Sequence, residues 1–380
     1  MKEGWKMVKL TDISENLDYM RVPITKNVRE LGKYPYYGAS GIVDYVNDYI
    51  YDEDLLLISE DGANLLARTT PIAFSVSGKI WVNNHAHVLR FKSLTTQKFV
   101  EYFIAGFNIK AYVTGMAQPK LNQRALEKIK LPLPSLEEQH RIVSILDASF
   151  EKIDALKKNA EENLKNAKAL FQQVLAQELK PKEGWVEKKL GGVCEISRGR
   201  SKHRPRNDKR LYGGNIPFIQ TGDIRDACGG IITTYKQTYS ELGLLQSRLW
   251  KKGTICITIA ANIGETAILG FDACFPDSVV GIYPNDNTLN YLYVNYYLNS
   301  IKSYIDNQAY GAAQKNINLV IIENLKISFP ANIEEQHRIV RTLDTLSEKC
   351  RRLEEVAQQT IRECDALKQS ILRQAFSGEL

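Results

Sequence analysis

One stretch of 43 residues is written twice in this 380-residue chain, and it limits what the rest can fold into. Glu137–Leu179 and Glu334–Phe376 align at a constant offset of 197 and agree at 18 of 43 positions without a gap. That is far above chance and marks an internal repeat. The copies open on Pro134-Ser135-Leu136-Glu137-Glu138-Gln139-His140-Arg141-Ile142-Val143 and on Pro330-Ala331-Asn332-Ile333-Glu334-Glu335-Gln336-His337-Arg338-Ile339-Val340. Ser135 with Glu138, and Asn332 with Glu335, have the spacing of a helix capping box.

From there an apolar residue recurs every seven positions. The first copy reads Leu146, Ile153, Ala160, Ala167 and Val174, interleaved with Ile142, Leu156 and Leu170. The second reads Leu343, Cys350, Ala357, Cys364 and Ile371, interleaved with Ile339, Leu346, Leu353 and Leu367. A seam kept over five heptads suits a coiled coil better than the face of a globular helix. Each helix spans roughly 65 Å at about 1.5 Å per residue. Ala160 and Ala357 occupy equivalent places, as do Ala167 and Cys364, and small residues there permit close approach. The seven-residue seam and the shared register favour pairing of the two copies over two unrelated amphipathic helices.

The length leaves room for two ordinary domains beside the helices. The boundaries expected are 1–134 for a first body, 135–180 for its helix, 181–331 for a second body and 332–380 for the second helix. Marks outside the helices repeat as well. Glu3-Gly4-Trp5 returns as Glu183-Gly184-Trp185, and Gly115…Gln118…Lys120-Leu121-Asn122 is echoed by Gly311…Gln314-Lys315-Asn316-Ile317-Asn318. Between these marks the bodies share little sequence. The last segment reads equally as a fold junction or as a DNA contact.

The net charge of +6 is segregated: +3 on 1–135, +5 on 181–330 and −1 on each helical stretch. A basic excess confined to the bodies leans toward a polyanionic partner. The N-terminus lacks the apolar core of a signal peptide, and no apolar run is long enough for a bilayer, so no membrane role is expected. Six cysteines without a Cys-x-x-Cys pair fit a reducing cytoplasm and argue against zinc.

Within the first body, 54–59 and 79–82 read as strands and 97–105 as a short helix. Tyr34-Pro35-Tyr36-Tyr37-Gly38-Ala39-Ser40-Gly41 reads as a loop, either contacting bases and phosphates through Tyr36, Tyr37 and Ser40 or covering the core with its tyrosines. Lys79 is a further candidate. In Asn83-Asn84-His85-Ala86-His87 the alternate histidines could share one strand face, but no third metal ligand is near in sequence, so a structural role is favoured. Asn83 and Asn84 suit adenine edges. Lys120 and Lys315 flank the repeated junctions.

In the second body, Arg198, Arg200, Lys202, Arg204, Arg206, Lys209 and Arg210 face only Asp208, in a stretch with Gly199 and Pro205. This reads as a flexible loop able to neutralise phosphates in a salt-dependent way, or else as a solvated surface loop. Gln220 and Thr221 sit where 216–224 passes from strand to turn. Residues 253–260 read as a core strand and 290–299 as a helix matching 97–105. No phosphate-binding loop, methyltransferase motif, nuclease cluster or catalytic triad is found, which points to binding without catalysis.

Two variable bodies, each closed by a Gly…Gln…Asn segment, a proline-led strand end, Glu-Glu-Gln-His-Arg-Ile-Val and a long helix, resemble the specificity subunit of a type I restriction–modification enzyme. The resemblance covers the whole chain. It implies an α+β fold of two mixed α/β target-recognition domains separated by two long antiparallel helices that form a coiled coil with a pseudo-twofold repeat. Each domain would read half of a bipartite, asymmetric site in double-stranded DNA. The helices would space the readers and dock two methyltransferase subunits. No cofactor is expected on this chain; S-adenosylmethionine, ATP and Mg would lie on partner subunits, with restriction subunits in the full complex. The rivals are a self-contained nuclease or methyltransferase with an unrecognised site, and a coiled-coil scaffold that binds only proteins.

Overall fold

A computed structural model describes residues 2–115, 117–260, 262–310 and 317–380. The chain divides into two units, Met1–Glu162 with Ala357–Leu380, and Asn163–Val356. Each unit thus holds a body, the start of one long helix and the end of the other. No helix among the described residues is long and apolar enough to cross a membrane.

In the first unit, β1 (Lys6–Lys9) pairs with β10 (Lys130–Leu133), which leads into the long helix. Four strands, β2 (Ser14–Asn16), β9 (Ala86–Phe91), β6 (Leu55–Ser59) and β7 (Ala73–Val76), form one sheet in that order. A second sheet has the order β4 (Gly41–Val46), β3 (Leu31–Gly38), β8 (Lys79–Val82), β5 (Tyr51–Asp52). The stretch read as a tyrosine loop is therefore mostly β3, turning through Ala39–Ser40 into β4. Tyrosine is a good strand former, and the turn-like composition of the stretch concealed that.

The second unit repeats this plan. Its strand β11 (Trp185–Lys189) pairs with β19 (Lys326–Pro330), and β12 (Cys194–Arg198), β18 (Val279–Pro284), β16 (Ile255–Thr258) and β17 (Thr266–Leu269) follow the order of the first sheet, extended by β14 (Ile231–Ile232). A separate ribbon pairs β13 (Tyr212–Phe218) with β15 (Gln237–Tyr239). Beyond β13, the expected turn is a short helix, Thr221–Asp226. Body helices Leu94–Gly106 and Tyr291–Ser300 occupy corresponding places.

The long helices run Leu136–Glu178 and Ile333–Ser377. Their shared start motif has a physical role in each half. Gln139 and Gln336 are buried and donate to the carbonyls of Pro134 and Pro330. Each also accepts from the body helix, from Thr96 Oγ1 and from the Asn290 amide. About two turns further on, the Tyr102 hydroxyl bonds Asp147 and Tyr296 bonds Asp344, so each body is pinned to its own helix twice. The expected capping box is half realised. Ser135 Oγ accepts from the Glu138 amide, while the Glu138 carboxylate turns to Arg141, which with Lys2 holds it at a pKa of about 2.

The helices pair antiparallel. In the first unit Lys157 reaches Asp365 at 2.6 Å and Asp154 reaches Lys368 at 2.5 Å; in the second, Arg338 reaches Glu178 at 3.2 Å. Leu146, Ile153, Ala160, Ala167, Leu343, Cys350, Ala357 and Cys364 are buried, as the seven-residue repeat predicts. Leu156 and Leu353 are not: they are 52% and 55% exposed, and Leu170 and Leu367 are 44% and 49% exposed. The second row of the seam lies four residues after the first, at Phe150, Lys157, Leu164 and Phe171, all part-buried. Rows three and four residues on flank the same helical stripe from opposite sides, and only the partner's position selects between them.

Candidate functional site

Both units carry an edge framed by the same backbone bonds at the end of a central strand. In the first, Glu60 N donates to His85 O at 2.8 Å and Leu121 N to Glu60 O at 2.7 Å. In the second, Ile259 N donates to Ser278 O at 3.0 Å and Ile317 N to Ile259 O at 3.1 Å. A side-chain nitrogen completes each frame: His87 Nε2 donates to Leu121 O at 2.8 Å, and Arg198 to Ile317 O at 3.4 Å. The repeated junction before each long helix is thus tied to the strand end, which is a structural role.

The first edge gathers several of the expected residues. Ser59 Oγ donates to Ala39 O and holds the exposed Ser40 turn against the strand end. Asn84 is exposed beside it, and Lys120 reaches Glu60 at 3.1 Å while half exposed. Two expected residues belong to the interior instead. Tyr36 is 1% exposed, its hydroxyl accepts from the Ile24 amide, and Arg29 covers its ring. Asn83 is 6% exposed and spends its carbonyl oxygen on the His85 amide at 2.8 Å. Tyr37 is half-buried against Phe74. Lys79 stands at the opposite end of β8, its ammonium 4.6 Å from the Tyr49 ring centre. The four residues of that strand put it about 13 Å from the edge.

The two histidines do not share a face. His87 is fully buried, with Nδ1 at 2.5 Å from Asp18. Asp18, Glu60 and His87 could offer three ligand atoms within 4.8 Å of one another. Arg21 and Lys120 already neutralise these carboxylates, and both ring nitrogens of His87 are engaged, so the cluster is an ion-pair network and not a cation cage. Burial raises the Asp18 and Glu60 carboxyls. The hydrogen bond and charge of His87 on Asp18, and Arg21, His87 and Lys120 on Glu60, outweigh it and leave both below their ordinary values. Their stabilising contribution is therefore complete above about pH 4.5 and is lost as pH falls through the lowered folded values. Melting temperature followed by circular dichroism should drop between about pH 5 and pH 3. Asp18→Asn should cost about 2 kcal/mol at neutral pH and flatten that acid limb; an acid limb unchanged by the substitution would count against the network.

In the second unit the basic stretch is anchored more firmly than its composition suggests. Arg206 reaches Asp277 at 2.7 Å, Arg210 reaches Asp208 at 2.7 Å, and Asp208 also holds His203 at 2.9 Å. Ser247 Oγ donates to Arg200 O and Gln246 accepts from the His203 amide. A side chain on Gly199 would meet the carbonyls of Phe275 and Pro276 at 2.3 and 2.4 Å, so glycine is required where the loop leaves β12. Arg204 donates to loop carbonyls, whereas no partner is seen for Arg200, Lys202 and Lys209 among the described residues. Exposed Gln220 bonds Gln237, and Thr221 is half-buried. Lys315 lies outside the described residues.

Sequence reasoning weighed His85 only as a metal ligand or structural residue and passed over Asp61. The His85 ring is half-exposed at the first edge with Nδ1 2.9 and 3.0 Å from the two Asp61 oxygens, a pairing 24 residues apart that no local spacing signals.

A profile described as the type I restriction modification DNA specificity domain matches residues 2–166 and again 182–363. A putative type I restriction enzyme specificity subunit from Haemophilus influenzae is 30% identical over 354 residues, covering 90% of this chain and 86% of that protein. The EcoBI specificity subunit of Escherichia coli is 26% identical, covering 75% and 66%. Among solved structures, a chain of a type I restriction–modification system superposes with a TM-score of 0.75 at 22% identity, covering 100% of this chain and 99% of that one. The HsdS subunit of Thermoanaerobacter tengcongensis gives 0.56 at 21%, covering 100% and 98%.

Proposed function

The chain belongs to the type I restriction–modification DNA specificity family, and from that premise we propose that it is the non-catalytic, sequence-reading component of such a complex. Each unit reads one half of a bipartite, asymmetric site in double-stranded DNA. The observation that carries this is the pair of edges with one backbone frame and unlike side chains: Ser40, Asn84, His85 and Lys120 on the first, Arg206 with Asp277 and the exposed Arg200 and Lys202 on the second. A common frame gives two readers, and unlike side chains give two different half-sites.

The long helices serve as the spacer and as the docking surface for two methyltransferase subunits. Those subunits carry S-adenosylmethionine, and restriction subunits add ATP- and Mg-dependent cleavage. The exposed leucines suit this role. Leu156 and Leu367 stand at one level of the antiparallel pair in the first unit, and their repeat equivalents, Leu353 and Leu170, belong to the second. Duplicated apolar positions match a duplicated partner. Leu156→Asp combined with Leu367→Asp should change stability by less than about 1 kcal/mol, because both are exposed. The assembled complex should nonetheless lose one methyltransferase subunit, read as mass by native mass spectrometry.

Mapping methylated adenines in cells that produce the chain with its methyltransferase partner, against cells lacking the chain, tests the reading. A gapped motif of two unlike halves is expected, and methylation that persists without the chain would refute it. The self-contained-enzyme alternative predicts methyl transfer or cleavage by the purified chain alone with DNA, Mg and S-adenosylmethionine, where none is expected. The protein-only scaffold predicts no DNA binding, where affinity falling steeply with salt is expected.

A further inference from the structure

The geometry points to His85 as a residue that reads a base edge in the half-site bound by the first unit, with Asp61 as its positioning residue. This inference rests on the family reading above and names a side chain for it. The ring is fixed from several sides. His85 N donates to Asn83 Oδ1 at 2.8 Å, and its carbonyl accepts the Glu60 amide at 2.8 Å. Asp61 pairs through its backbone with Lys120, and the next amide, Gly62, donates to Pro119 O, so the carboxylate is itself held by the junction segment.

A carboxylate can only accept, so Asp61 takes the Nδ1 proton and sets the ring orientation. That leaves Nε2, which has no protein partner among the described residues, on a side chain 49% exposed. His87, two residues on, is the contrast: it is fully buried and both its nitrogens are committed. A ring locked in direction has one hydrogen-bonding atom at a set position, which is what discrimination among bases requires and what a phosphate contact does not. Lys120, a half-exposed ammonium on the same edge, is the group suited to phosphate. In the second unit the equivalent backbone position is Ser278, and the neighbouring Asp277 orients Arg206 instead. The two edges therefore use one device, a carboxylate aiming a nitrogen, with different nitrogens.

The test uses the full chain assembled with its methyltransferase subunits. The adenine-methylation motif is mapped for the parent, His85→Ala and Asp61→Asn, and affinity for duplexes of the mapped site is measured against salt. A contact to one base is worth roughly 1–3 kcal/mol of discrimination, or about 5- to 150-fold in preference. His85→Ala should relax one position in one half of the motif by a factor in that range and leave the other half intact. Asp61→Asn should relax the same position to a smaller extent. An unaltered motif in both variants would overturn the proposal. So would uniform weakening with a salt slope reduced by about one, the signature of a phosphate contact. Loss of any chain-dependent motif in the parent would instead refute the family reading, so the two failures are distinguishable.

Discussion

Ile153→Asp will destabilise the first unit by about 3 kcal/mol or more, while Leu156→Asp, three residues further on, will leave it within about 1 kcal/mol of the parent. Ile153 is 6% exposed and lies in the row against which the other helix packs; Leu156 is 52% exposed. A carboxylate at 153 loses the burial of the three apolar carbons beyond Cβ and must be desolvated between two helices whose nearby ion pairs, Asp154–Lys368 and Lys157–Asp365, already use their cations. For a unit of this size, 3 kcal/mol corresponds to about 6–12 °C of melting temperature. Cys350→Asp makes the same test in the second unit. Burial and then the charge of Glu354 push the Cys350 thiol up, so a permanent negative charge there meets both effects. Thermal melts of the three variants decide the matter. Equal melting of Ile153→Asp and Leu156→Asp would mean that the helices do not meet along this row.

That contrast also shows what was legible in the sequence. The helices could be read from the apolar spacing and the start signals, because both are local. The second row of the seam could not. Lys157 and Lys368 occupy it, with stems along the seam edge and ammonium groups reaching Asp365 and Asp154, so charged residues stand where a sequence pattern looks for leucine. The likeness of the two bodies was hidden for another reason. Ser59 corresponds to Thr258, an offset of 199, but its strand partner Ala86 corresponds to Val279, an offset of 193. Insertions slide the register between strands, and what the bodies share is backbone pairing, which leaves no residue identity behind. The candidate edge was half legible. Ser40, Asn84 and Lys120 were named as candidate contacts and are exposed or half-exposed, but Tyr36 faces inward by strand phase, Asn83 is buried past the end of β8 with its carbonyl oxygen on the His85 amide, and His85 gained its meaning from Asp61 across 24 residues.

A fragment of residues 1–180 should form a symmetric dimer and, with methyltransferase subunits, direct methylation to a palindromic site made of two copies of the first half-site. In the intact chain, Leu372 and Phe376 from the end of the second helix close the first body's core, where Phe376 meets the rings of Phe99 and Phe103 at 5.2 and 5.4 Å. The fragment lacks them. The end of its own helix supplies the repeat equivalents Leu175 and Leu179, which perform the same closure on the second body's core. Ala160 and Ala167, both buried in the intact chain, would then line an antiparallel seam with a second copy of the same helix. The surface is therefore self-complementary, as a twofold contact must be. The fit is poorer than in the parent: Glu178 stands where Ala375 is fully buried, and Leu179 where Phe376 lies between two rings. Each of these changes costs on the order of 1–3 kcal/mol, so the dimer should dissociate on dilution where the intact chain cannot. Sedimentation across a concentration series measures that equilibrium, and methylation mapping reads the specificity. A fragment that stays monomeric at high concentration, or one that supports methylation only at an asymmetric sequence, would show that one body with one helix is not a complete reader.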